Sequence, residues 1–107
     1  MKKEECDAAS LMWEYIGDSL KRDRQFAWNI TMYQAMFCHE MGYKWKHDEL
    51  LCHEHNGKCE ECPLAKAGQK CRDVGSWWSK AISGDASSAY QISSFYRRLG
   101  NDIGTGN

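Results

Sequence analysis

Four cysteines, Cys52, Cys59, Cys62 and Cys71, fall within one short stretch, CHEHNGKCEECPLAKAGQKC, in the pattern C-x6-C-x2-C-x8-C. Thiolates that close in sequence converge on a metal, because S⁻ is a preferred donor for zinc and for iron. The central C-x2-C forms a knuckle, and Cys52 and Cys71 close the coordination from either side. Free cysteines are uncommon, and four in one polar loop have little hydrophobic reason to be there. Zinc is the expected occupant, bound by all four thiolates in a closed tetrahedral site with no open position for catalysis. A 4Fe-4S cluster is the alternative for the same ligands. His53 and His55 flank Cys52 closely enough to replace one thiolate; otherwise they are exposed loop residues. Cys38-His39 is either an extra ligand pair or a small buried cysteine beside an exposed histidine. Cys6 has no partner near it in sequence.

Enzyme chemistry finds no footing. A catalytic zinc helix needs two histidines four residues apart with a glutamate between them. His39-Glu40 lacks the second histidine, and His53-Glu54-His55 spaces its imidazoles two apart. Neither a Gly-rich phosphate loop nor a G-x-S-x-G nucleophile motif is present. The expected protein is non-enzymatic.

Two resemblances bear on the cysteine loop. Its first two intervals, and Cys62-Pro63-Leu64, resemble the C-x6-C-x2-C-x5-C iron–sulfur loop of helix-hairpin-helix DNA glycosylases; the last interval here is three residues longer. That likeness covers about a fifth of the chain, without the hairpin glycine turn, and implies a cluster rather than glycosylase activity. More broadly, GKCEECPL, SWWSKAISGD and ASSAYQISSF look like small Cys-rich proteins encoded by phages and prophages. That resemblance implies an accessory or inhibitor role, acting through protein–protein contact with a host protein, including one of a defence system.

The elements that must position the loop read as helices. Ala9, Met12, Ile16 and Leu20, widened by Trp13, recur at three- and four-residue steps and predict a helix over 4–22. Asp23 is a fitting cap for a second helix, 24–41, whose face is Phe26, Ile30, Tyr33, Phe37 and Met41, with Gly42 as its stop. Residues 43–51 connect to the metal loop at 52–72, which carries an Asn56-Gly57 turn. A third helix spans about 74–83 and a fourth 86–99, placing Ala89, Ile92, Phe95 or Tyr96, and Leu99 on one side. Gly100 should end the fourth helix, leaving 101–107 as a flexible tail. The fold expected is all-α: one domain over 1–100, with two N-terminal helices as an antiparallel pair, an inserted metal loop of four cysteines, and two shorter helices packed on them. One Val, two Thr and a single Pro among 107 residues agree with helices over strands.

Trp77 and Trp78 point about 100° apart on a helix, so only a broad apolar face buries both. Either both lie in such a face, or one is an exposed anchor for a protein partner, extended by Tyr43, Trp45, Tyr90 and Tyr96. The net charge of −1 gives no general affinity for nucleic acid. Lys58, Lys66, Lys70 and Arg72 around the loop, with Arg97 and Arg98 later, keep a nucleic-acid-binding zinc protein as the alternative, although Glu60 and Glu61 interleave. The sequence contains no membrane-spanning run and no apolar stretch after MKKEECDAAS of the kind a secretory signal needs. A cytosolic protein, with cysteines as ligands rather than disulfides, is the expectation.

Overall fold

A computed structural model describes residues 2–42, 51, 55 and 58–105. The described chain is all-α: α1 (Lys3–Arg22), a 3₁₀ segment (Arg24–Asn29), α2 (Ile30–Glu40), a 3₁₀ turn (Cys59–Glu61), α3 (Pro63–Lys66), α4 (Trp77–Ile82) and α5 (Ala86–Thr105). No described residue is in a strand. Among the described residues no helix is long and apolar enough to cross a membrane.

α1 has its dipole matched at both ends, with Glu4 and Glu5 in the first turn and Lys21 and Arg22 in the last. The Glu5 carboxylate also accepts the Lys2 backbone N–H at 2.9 Å. Asp23 ends the helix with extended backbone. Its carboxylate then accepts the Gln25 N–H at 2.9 Å, starting the 3₁₀ segment.

The molecule is organised by α1 and α5, each 20 residues long. They run antiparallel and make the most extensive contact between elements. The expected pairing of the first two helices is thus replaced by a pairing of the first and last. Small residues explain the closeness. A Cβ on Gly17 would lie 2.7 Å from the Tyr90 ring, and one on Gly100 would lie 2.9 Å from the Cys6 Cβ. Midway, Ser10 and Ser93 clasp each other. Each hydroxyl donates to the other's backbone carbonyl, at 2.8 and 2.7 Å, and both side chains are buried. Around this seam Ala9, Trp13, Ile16, Leu20, Ala89, Ile92 and Tyr96 form the core.

Further expectations need correction: the last helix is not short but as long as α1, and the first part of the expected 24–41 helix is the 3₁₀ segment Arg24–Asn29. Gly100 does not end the last helix; α5 continues to Thr105, because Gly100 is where it presses onto α1 and Gly104 is covered by the Lys3 side chain. Of the anticipated tail, only 106–107 lie outside the described residues. Of the face expected for the second helix, Ile30 is buried, and Phe26, Phe37 and Met41 pack partly buried on the core. The fully buried line of α2 is completed by Gln34 and Cys38, not by Tyr33. Tyr33 joins Tyr15 and Phe26 in an aromatic cluster instead, with ring centroids 5.2–6.0 Å apart. Gln34 can be inside because its Oε1 accepts the Trp78 indole N–H at 3.4 Å.

Candidate metal centre

The cysteine-bearing segment is built from short turns. The N–H groups of Glu61 and Cys62 donate to the carbonyls of Lys58 and Cys59 at 3.0 and 3.1 Å, wrapping the C-x2-C into a single 3₁₀ turn. Cys62 is extended (φ −75°, ψ 126°), as the residue before a proline prefers. Pro63 then opens α3 where its missing N–H is not needed. α3 closes on Gly68 at φ +81°. Gln69 N–H reaches the Leu64 carbonyl at 2.9 Å and Gly68 N–H that of Ala65 at 3.0 Å, a Schellman cap.

Two side chains tie this segment to α4. The Gln69 Oε1 accepts the Trp77 N–H at 2.9 Å, satisfying a first-turn amide. Ser76 caps α4 by accepting the Ser79 N–H at 3.1 Å, and its hydroxyl donates to the Cys71 carbonyl at 3.0 Å. α4 ends in a second Schellman cap at Gly84, φ +106°, with Asp85 N–H on the Lys80 carbonyl.

The thiol-bearing residues are unequally placed. Cys62 and Cys38 are 5% and 1% exposed and belong to one core cluster with Leu51 and Leu64; Cys71 packs against that cluster half-buried. Cys59 is half-buried and His39 exposed. His55 is half-buried, its N–H donating to the Leu51 carbonyl at 3.1 Å. Cys52 and His53 lie outside the described residues, as do Tyr43 and Trp45 and the Asn56-Gly57 turn. Among the described residues, no three His, Cys, Asp or Glu side chains are grouped so as to hold a metal ion. Cys6 sits elsewhere, between α1 and α5, and burial pushes its thiol pKa up.

Lys58, Lys66, Lys70 and Arg72 are exposed around the segment, and so are Glu60, Glu61 and Asp73. Its surface is therefore of mixed sign.

Trp77 and Trp78 are both half-buried and packed on the core. The Trp77 ring lies 6.3 Å from that of Phe95, and Trp78 holds Gln34. Among the described residues, the tryptophan that faces solvent is Trp28, 82% exposed, which the helical patterning passed over. The signal was a second line of apolar residues, Trp28, Met32 and Met36, opposite the buried line of α2. Elsewhere, Tyr90 donates its hydroxyl to Asp18. That bond, with burial and the carboxylate charge added, pushes the phenol up to about 12.

No protein-family model, curated protein or solved structure matches this chain.

Proposed function

We propose that the chain is a small, non-enzymatic binding protein whose Cys52, Cys59, Cys62 and Cys71 hold one structural zinc. The observation that carries this reading is the crowding of four cysteines into one loop, in a segment with little core of its own beyond Leu64. Turns this short gain little from packing, and a metal there contributes about 10–16 kcal/mol of apparent folding free energy. Four thiolates leave no open coordination position, so the metal acts as a staple.

The stapled segment would present Val74, fully exposed ahead of α4, and the open edges of Trp77 and Trp78 to a protein partner. The resemblance to phage and prophage Cys-rich proteins supports an accessory or inhibitory role against a host protein in a reducing cytoplasm. A second reading, nucleic-acid binding, draws on the exposure of Lys58, Lys66, Lys70 and Arg72. Recovery of only DNA or RNA from a lysate, lost as salt rises, would select it.

Metal analysis of protein purified without oxygen is the direct test. One zinc per chain is expected, absent in Cys59→Ser/Cys62→Ser. A metal-free protein, or a variant that keeps its zinc, overturns the assignment. A brown preparation with iron and sulfide transfers the loop to a 4Fe-4S cluster.

A further inference from the structure

α2 is apolar on two sides. Its inner line, Ile30, Gln34 and Cys38, is buried. Its outer line carries Met32 and Met36, 53% and 54% exposed, with Trp28 one turn ahead. From Ile30 to Cys38 the helix has no charged side chain; Glu40 is the first acid. The exposed faces of the long helices differ. On α1, Leu11 and Tyr15 stand among exposed Glu4, Asp18 and Arg22, and α5 exposes Arg97, Arg98 and Asp102. A helix with apolar residues on two opposite sides is normally covered on both.

We infer that the outer face of α2, headed by Trp28, is the surface through which two copies of this chain associate about a two-fold axis. Three observations select a second copy as the occupant. The first is charge. Between Ile30 and Cys38, face-to-face α2 helices bring no like charges together. The rim carries both signs: Arg22 and Asp23 beside one cleft, Arg24 beside the other and Glu40 at the far end. A two-fold axis can set each of these against its opposite in the other copy.

The second is shape. Trp28 is the ridge between two clefts, one walled by Tyr15 and Phe26, the other by Ala27 and Ile82. Met36 borders a shallow depression with Ala35, His39 and Glu40. Projections beside hollows on one surface are what a self-complementary contact requires.

The third is area. A standard interface takes about 800 Å² from each partner, and a tryptophan this exposed supplies on the order of 200 Å² of it. Met32 and Met36, with Tyr15 across the cleft from Trp28, each between 48% and 54% exposed, add to it. The indole is the hot spot, and the methionines adapt around it.

Light scattering and sedimentation equilibrium of the full chain, with reductant present, test this. The expected mass is twice 12.4 kDa at high micromolar concentration. It should fall to the single-chain value in Trp28→Glu and in Met36→Glu, with helical circular dichroism unchanged because both positions face solvent. Trp28→Ala, a milder change, should raise the dimer dissociation constant at least tenfold. A chain that stays monomeric at all concentrations overturns the inference. So does a dimer that survives all three substitutions, or one that exists only without reductant. If either Glu variant loses its helical signal, Trp28→Ala decides alone. The dimer should persist with a chelator present, so metal loss and dissociation are separately read.

Discussion

The α1–α5 pair and the segment from Lys58 to Ser76 are held together in opposite ways. In the pair, two long helices meet through side chains that interlock over their full length, with Trp13 and Tyr96 fully buried and a reciprocal serine clasp at the centre. In the segment, backbone hydrogen bonds close one short turn after another, and Leu64 and Cys62 are its main hold on the core. The first is stabilised by buried area and close packing, the second by local geometry. Cooperativity should follow the same division.

The largest expected effect is at Trp13. Trp13→Ala should cost about 3–5 kcal/mol in urea unfolding and lower hydrogen-exchange protection everywhere, since both regions depend on that core. Leu64→Ala should cost about 2–5 kcal/mol, but with protection lost first across 58–83. Equal early loss in α1 and α5 would mean the two regions are one cooperative unit. Gly100→Val asks whether the pair is as tight as it looks. With its Cβ 2.9 Å from that of Cys6, overpacking should cost about 1–3 kcal/mol; a neutral result in the same urea assay would show that the helices separate easily. Ser76→Ala removes the α4 cap and the bond to Cys71. It should cost about 1 kcal/mol, with faster amide exchange confined to the segment and α4.

The smallest effect is electrostatic and belongs to the pair alone. Asp18 holds the Tyr90 proton, so folded Tyr90 titrates near 12 rather than 10. The folded state binds that proton more tightly than the unfolded state. The contribution is therefore complete below pH about 10 and fades as pH rises towards about 12. Tyrosinate absorbance should show the Tyr90 phenol titrating late, a component missing in Tyr90→Phe. Its titration together with exposed tyrosines would refute the contact.

Periodicity made α1 and most of α5 legible. Ala9, Ile16, Leu20, Ala89 and Ile92 were expected inside on spacing alone and are buried. What was not legible depended on partners far along the chain. Gly100 carries the usual mark of a helix end, yet its role is to admit Cys6 from the other helix. Gln34 has a surface residue's chemistry and is buried by a bond to Trp78, 44 residues away. The cysteine loop is the converse case. Its chemistry is plain from C-x6-C-x2-C-x8-C, whereas the position of Cys52 lies outside the described residues. Trp28 was passed over because the patterning followed the inward line of its helix alone.

The Ser10–Ser93 clasp joins residues 83 positions apart, which has a consequence for how the protein is made. During synthesis α1 emerges with Trp13 and Ile16 exposed, well ahead of α5, its main partner. Closing so long a loop is entropically slow. The nascent chain thus carries an uncovered apolar helix until α5 has been made, an interval in which a chaperone has its best opportunity to bind.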